Sequence, residues 1–290
     1  MEKQKILVIV GPTASGKSNL AAKLAKKLNG EIISADSRQV YKGLDIGTGK
    51  ITKKEMRGIP HHLIDVIDPK KQFSVAEYKK LAEEKVRYIV QKDKLPIVVG
   101  GTGFYIDALT GRANFPDVAP NKLLRSKLSK LSKEKLFKML QKKDQSRART
   151  IDPQNKVRLI RALEIIEALG LVPPLTPSVN KRFQFIFTGL KPVDLDKRIL
   201  KRLMKRIPGI IRETKKLSRK RAFELGLEYR FASLYLQKKL SKKEFVDKLY
   251  TAIHHYAKRQ MTWFKRNKKI RWFDPRQLKE IEKHAKRQHF

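Results

Sequence analysis

Near the start of the chain, Gly11-Pro12-Thr13-Ala14-Ser15-Gly16-Lys17-Ser18 fits the pattern GxxxxGK(S/T) and stands between an apolar run and a helical one. Lys5 to Val10 (KILVIV) reads as a buried strand, and Leu20, Leu24 and Leu28 recur at helical spacing until Gly30 ends the run. A strand, a glycine-rich turn and a helix in that order make an anion site. The glycines let successive backbone N–H groups face one cluster of oxygens, the helix N-terminus adds its dipole, and Lys17 brings a point charge. Ser18 is then placed to hold Mg²⁺. The loop therefore reads as a phosphate or diphosphate site, but leaves open whether the phosphates are transferred, hydrolysed or expelled.

The rest of the chain supplies the sheet such a loop needs. After KILVIV come the apolar runs Glu31 to Asp36 (EIISAD), Leu63 to Ile67 and Leu95 to Val99 (LPIVV), separated by polar helical stretches, and this is the alternation of a parallel sheet. Val75, Tyr78, Leu81, Ala82, Val86 and Ile89 keep one apolar face, so a helix leads into LPIVV. From about Arg112 the character changes. Leu123, Leu124, Leu128, Leu131, Leu136 and Leu140 form an apolar stripe, and eleven Lys or Arg stand against three acids between Ala113 and Thr150. Leu159, Ala162, Leu163, Ile166 and Leu169 continue the helical pattern to Gly170, and Pro173, Pro174 and Pro177 mark a loop. Phe183 to Leu190 (FQFIFTGL) returns as a buried strand, and the pattern is helical from Asp194 almost to the end. The expected fold is α/β, a P-loop NTPase-like parallel sheet flanked by helices, with an inserted all-helical subdomain. Its parts are a first core segment at 1–112, an insertion at 113–182, and the rest of the core at 183–290.

Composition narrows the partner. Lys and Arg number 68 against 28 Asp and Glu, a net charge of +40, which favours a polyanion and above all nucleic acid. No run approaches the roughly 20 apolar residues of a membrane span, and the N-terminus lacks a signal pattern, so a cytoplasmic protein is expected. With no cysteine, disulfides, thiolate zinc sites and thiol nucleophiles are excluded.

Other candidate residues gather at strand ends, where open α/β sheets bind ligands. Asp36 closes the EIISA run and reads as a Mg²⁺-associated carboxylate, a general base or a helix N-cap. Gly100-Gly101-Thr102-Gly103 follows LPIVV, where glycine permits close backbone approach and Thr102 offers a hydroxyl. Gly47-Thr48-Gly49-Lys50 reads as a mobile loop whose Thr48 and Lys50 could meet substrate. Ala257 to Arg266 (AKRQMTWFKR) interleaves cations with aromatics, which suits phosphate contact with base stacking or a helix that buries Met261 and Phe264. His61-His62 and His254-His255 lack metal-site partners and read as structural or hydrogen-bonding groups.

Several of these stretches, in this order, resemble the tRNA dimethylallyltransferase family, enzymes that prenylate an adenine beside the anticodon. They are GPTASGKS at 11–18, SADSRQVYKGLDIGTGK at 34–50, HHLIDVIDP at 61–69, FSVAEY at 73–78, VGGTGFY at 99–105, VRLIRALE at 157–164, GLEYR at 226–230 and AKRQMTWFKR at 257–266. The resemblance spans nearly the whole chain, and a generic P-loop kinase or RNA-binding NTPase shares only the first block. It implies transfer of a dimethylallyl group from dimethylallyl diphosphate to N6 of adenosine 37 in tRNAs that read codons beginning with U. Diphosphate is released, with Mg²⁺ as cofactor and the anticodon stem-loop as partner, by a monomer. In this family the P-loop serves a diphosphate leaving group rather than ATP. Asp36 matches the aspartate that takes the amine proton, Thr13 and Thr102 match residues that position the diphosphate and the reacting centre, and Arg230 stands where the family has a further arginine. Asp36, Ser37, Arg38, Gln39, Thr102, Val157, Arg158, Leu159, Ile160, Arg161, His255, Lys258, Arg259 and Gln260 are implied to line the RNA, with Arg125 an additional contact. The segment after Gly170 (LVPPLTPSVNKR) departs from the family wording.

Overall fold

The structure, a computed structural model, describes residues 3–113, 115–174 and 182–287. Residues 175–181, most of the segment that departs from the family wording, lie outside the described residues. In chain order the elements are β1 Gln4–Val10, α1 Lys17–Lys27, β2 Gly30–Ser34, α2 Lys53–Met56, β3 His61–His62, α3 Val75–Val90, β4 Leu95–Gly100 and α4 Gly103–Thr110. Next come α5 Lys122–Ser129, α6 Lys133–Lys143, α7 Gln145–Thr150 and α8 Lys156–Leu169. The chain returns with β5 Phe183–Leu190, α9 Leu195–Thr214, α10 Arg219–Leu225, α11 Leu227–Leu236, α12 Lys242–Lys265, β6 Arg271–Phe273 and α13 Leu278–Arg287. Two compact units result: Met1–Gly111 with Val179–Phe290, and Arg112–Ser178.

The first unit is a parallel six-stranded sheet in the order β3-β2-β4-β1-β5-β6. Both faces are covered, which is why the strands read as continuous apolar runs. Ile6, Val8 and Val10 of β1 pack with Tyr78, Ala82 and Val86 of α3 and with Phe264 of α12. Leu7 and Ile9 pack on the other face with Leu20 and Leu24 of α1 and Ile281 of α13. The helix expected to lead into LPIVV is α3, fixed at its start by a capping box between Ser74 and Glu77. Because β4 lies between β2 and β1, the loops after β2, β4 and β1 are neighbours along the carboxyl edge of the sheet.

Two strand expectations change. Leu63 to Ile67 is not a strand, since Leu63 and Asp65 sit at φ 61° and 56°, and β3 stops at His62. Leu63 is buried all the same, so the apolar signal marked a core anchor in a turn. Conversely, Arg271 to Phe273 interrupts the expected helical tail and pairs with β5 as an edge strand, Thr188 opposite Arg271 and Leu190 opposite Phe273.

The second unit is helical and has a small core of its own, with Leu128, Leu136, Leu140, Leu159, Leu163 and Ile166 at its centre. Leu123 of the expected stripe is instead 79% exposed. Within this core Glu164 is buried, accepting from the Asn121 N–H and from Arg125 in a two-pronged pair; Arg161 adds a third cationic donor. Burial pushes the Glu164 carboxyl up, but the guanidinium groups of Arg125 and Arg161 outweigh it and hold the group below its ordinary value.

Candidate active site

The site is built where β1, β2 and β4 end. After β1 the chain enters the phosphate-binding loop, and Gly16, at φ 89°, makes the left-handed step that lets α1 start at Lys17. No side chain caps α1 and no acid stands in its first turn, so its N–H groups remain open to an anion. Lys17 donates to the Pro12 carbonyl at 3.0 Å. Burial pushes its ammonium pKa down to about 8, with Arg202 adding to the fall and Asp36 opposing it.

After β2, Asp36 does not cap a helix, because the residues that follow form turns and the next helix is α2. Its Oδ1 accepts the Arg38 N–H at 2.9 Å in an Asx turn, and among the described residues its second oxygen accepts no hydrogen bond. The Thr102 hydroxyl, at the end of β4, accepts the Ser37 N–H at 3.0 Å and donates to Ser37 Oγ at 3.3 Å. Thr102 therefore binds the Asp36 turn to the glycine turn. Between these loops lies a small open cleft. Lys17, Ser18, Ser34, Asp36 and Gln39 supply its polar lining, and Ile32, Ile51, Ile64 and Val99 its apolar lining. His61 lines it too. Its Nδ1 donates to the Ile59 carbonyl at 2.7 Å, and its Nε2 is buried without a partner among the described residues. Burial pushes the imidazole pKa down, so the ring is neutral. His62 faces the buried Glu31, whose other oxygen accepts from Lys94, and is structural.

The segment expected to be a mobile loop is pinned. Glu213 of α9, 7% exposed, accepts the N–H groups of Asp45, Ile46 and Gly47 and the Tyr229 hydroxyl. Arg206 donates to the Ile46 and Gly47 carbonyls. Thr48 donates to the Leu44 carbonyl, and Lys50 pairs with Asp45 and Asp65. Thr48 and Lys50 are thus spent inside the protein, and a buried acid with four donors explains why. The same segment positions a residue that sequence reasoning missed. Arg202 of α9 donates to the Gly49 carbonyl at 2.7 Å. Burial and Arg206 push its pKa down, while Glu228, Asp36 and Glu55 push it back up; its charge also reaches Lys17. Arg230, expected as the further cation, is exposed and lies over the rings of Phe223 and Phe231, at 5.6 and 5.8 Å.

The expected RNA-lining residues divide by burial. On α12, His255, Lys258 and Arg259 are exposed and Gln260 is buried. Trp263 of the same helix donates to Asp107 at 2.9 Å and carries Arg266 over its ring. In the helical unit Val157 and Arg158 are exposed and Ile160 is half-buried. Leu159 is fully buried and cannot touch RNA. Arg125 and Arg161 have their guanidinium groups on Glu164.

Ser18 suits Mg²⁺, a hard cation that takes one or two protein oxygens and completes its shell with phosphate and water. Among the described residues no group of three or more His, Asp or Glu could hold a metal alone, so such an ion would need the phosphates themselves.

A phosphate-binding loop after β1, an acid after β2 and a part-apolar cleft beside them define a P-loop α/β protein with an anion site at the ends of its strands. Comparison with known proteins narrows this. The sequence model described as IPP transferase matches residues 39–267, and the chain belongs to that family. It is 39% identical to a tRNA dimethylallyltransferase of Anoxybacillus flavithermus, over 93% of this chain and 90% of the relative. A tRNA dimethylallyltransferase of a Thermoanaerobacter species is 40% identical, over 96% and 95%. Among solved structures, the full-length tRNA isopentenylpyrophosphate transferase of Bacillus halodurans matches at TM-score 0.70 and 35% identity, covering all of both chains. A eukaryotic dimethylallyltransferase acting on tRNA matches at TM-score 0.81 and 25% identity, over 98% of this chain and 77% of that one.

Proposed function

We propose that the chain transfers a dimethylallyl group from dimethylallyl diphosphate to N6 of adenosine 37 in tRNAs that read codons beginning with U, releasing diphosphate. What carries the reading is Asp36, which lines the same cleft as Lys17 of the phosphate-binding loop. Ile32, Ile51, Ile64 and Val99 line the same cleft and offer an apolar surface to the prenyl chain.

In this reading the diphosphate sits on the N–H groups of the loop and of α1, with Lys17 and Arg202 against its oxygens and the five-carbon tail on the isoleucines. The C1–O bond breaks and the electron pair leaves with the diphosphate, where preorganised cations stabilise it better than water does. Thr13 belongs to the phosphate loop, and Thr102 keeps the Asp36 turn in place. The amine of adenine is a weak nucleophile because its lone pair is delocalised into the ring. As the N6–C1 bond forms, Asp36 accepts one amine proton. Ser18 and the diphosphate oxygens would hold Mg²⁺, which supplies further neutralisation of the leaving group.

The target base must leave its stack, at a cost of a few kcal/mol. His255, Lys258 and Arg259 on α12, Arg38 and Gln39 beside the cleft, and Val157 and Arg158 in the helical unit offer contacts that offset this cost. Among the described residues no helix is long and apolar enough to cross a membrane, and the reading places the protein in the cytoplasm as a monomer.

The test is incubation with unmodified tRNA, Mg²⁺ and labelled dimethylallyl diphosphate, with a parallel tube containing ATP. Label in tRNA is expected. A phosphorylated product or free phosphate from ATP, with unlabelled tRNA, overturns the reading in favour of a kinase or an RNA-binding NTPase.

A further inference from the structure

The loops after β2, β4 and β1 stand side by side, and any ligand gripped by the first and third depends on their spacing. Thr102 and Ser37 tie the first pair locally. The second pair is tied from far along the chain by Gln260 of α12. Its Nε2 donates to the Gly101 carbonyl at 2.8 Å, and its Oε1 accepts the Thr13 N–H at 2.8 Å. Gln260 is 7% exposed, whereas its neighbours Lys258 and Arg259 are exposed. The approach is close enough to dictate its partner, because a Cβ on Gly101 would stand 2.3 Å from Gln260 Nε2 and 3.5 Å from Lys17 Nζ. Only a side chain that both donates and accepts, at this length, closes the gap.

We propose that Gln260 is a positioning residue. It sets the phosphate-binding loop at a fixed distance from the Gly101 turn, aims Lys17 by doing so, and makes no contact with RNA. This rests on the reading above that the loop grips a diphosphate. It reassigns one residue of AKRQMTWFKR from the partner's side of α12 to the donor's side.

Both bonds can be cut together, or the Gly101 bond cut alone. Gln260→Met keeps the length and loses both, while Gln260→Glu keeps the acceptor for Thr13, loses the donor to Gly101 and puts a negative charge beside Lys17. The full chain is titrated with inorganic pyrophosphate in Mg²⁺, and separately with unmodified tRNA. In Gln260→Met the pyrophosphate Kd is expected to rise about tenfold or more, the worth of one or two hydrogen bonds. Gln260→Glu is expected to weaken it further. The tRNA Kd should stay within about twofold, and in turnover the KM for dimethylallyl diphosphate should rise while that for tRNA holds. A weaker tRNA Kd with an unchanged pyrophosphate Kd makes Gln260 an RNA contact and overturns the proposal. Unchanged constants, or equal losses of both with a lowered Tm, overturn it too. Should Gln260→Met not fold, hydrogen exchange of the wild-type Thr13 amide decides: slow exchange is expected, and exchange at the rate of an open loop refutes the tie. Failure of the wild-type protein to bind pyrophosphate would instead sink the diphosphate reading itself.

Discussion

Asp36 has one oxygen committed to the Arg38 N–H and a second that accepts no hydrogen bond among the described residues, so its structural and chemical duties can be separated. Asp36→Asn retains an acceptor for the turn but cannot take a proton. Turnover is expected to fall at least about a hundredfold with tRNA affinity nearly intact, as single-turnover transfer and a binding titration would measure; unchanged turnover would remove Asp36 from the mechanism. Arg202 and Arg230 make a second contrast. Both are arginines after β5, yet one stands within electrostatic reach of Lys17 and the other lies over two phenyl rings at the surface. Arg202→Ala should cost about 10²–10³ in rate, and Arg230→Ala little; equal effects would place both at the leaving group. Lys17 adds a pH dependence with a definite sign. Its pKa is about 8 in the folded chain against 10.5 unfolded, so the unfolded chain binds more protons between those values and stability gains from this group as pH rises through that window. Donor binding runs the other way, since a diphosphate needs the charged form. The KM for dimethylallyl diphosphate is expected to be flat below pH 8 and to climb above it; a flat profile to pH 9.5 would free Lys17 of that role.

Among elements, α9 and α12 do work that their sequences conceal. The amphipathic pattern of α9 announces a helix packed on one side, and Ile199, Leu203, Ile207 and Ile210 do pack there. That same pattern is silent about Glu213, which holds the Asp45 to Gly47 backbone from its far end. Glu213→Ala leaves three backbone N–H groups, that of Gly47 buried, and the buried Tyr229 hydroxyl without their acceptor, and is expected to destabilise the protein by about 2–4 kcal/mol. Urea unfolding would measure the loss, and a cost under about 0.5 kcal/mol would mean the loop closes on water instead. In α12 the 3.6-residue period decides which neighbours share a fate: Ala257, Gln260 and Phe264 turn inward, while Lys258, Arg259 and Arg266 remain exposed. Of the cation–aromatic run read from the sequence, Phe264 is buried and Met261 half-buried, while Lys258, Arg259 and Arg266 form a charged stripe on the same side of the run.

At the scale of the molecule, the net charge of +40 implies binding driven by release of counterions from the tRNA backbone. Affinity should fall steeply with salt, the logarithm of K against the logarithm of salt giving a line whose slope counts the phosphates neutralised; a flat response would make the charge a solvated coat. The chain itself determined the strands β1, β2, β4 and β5 and the phosphate-binding loop between β1 and α1, because buried parallel strands and a helix-opening glycine turn are local patterns whose cause lies within about ten residues. Asp36 was legible for the same reason, standing at a strand end where open sheets bind. Tertiary structure alone decided what those patterns meet. It set Arg202 on the Gly49 carbonyl and Arg230 over two phenyl rings, fastened the Gly47 to Lys50 loop to Glu213, and placed Gln260 between Thr13 and Gly101. It also turned Leu63 into an anchor and Arg271 to Phe273 into an edge strand. Arg230 apart, each of these is a bond or packing contact between residues far apart in the chain, and neither hydrophobic period nor motif spacing carries information about so distant a partner.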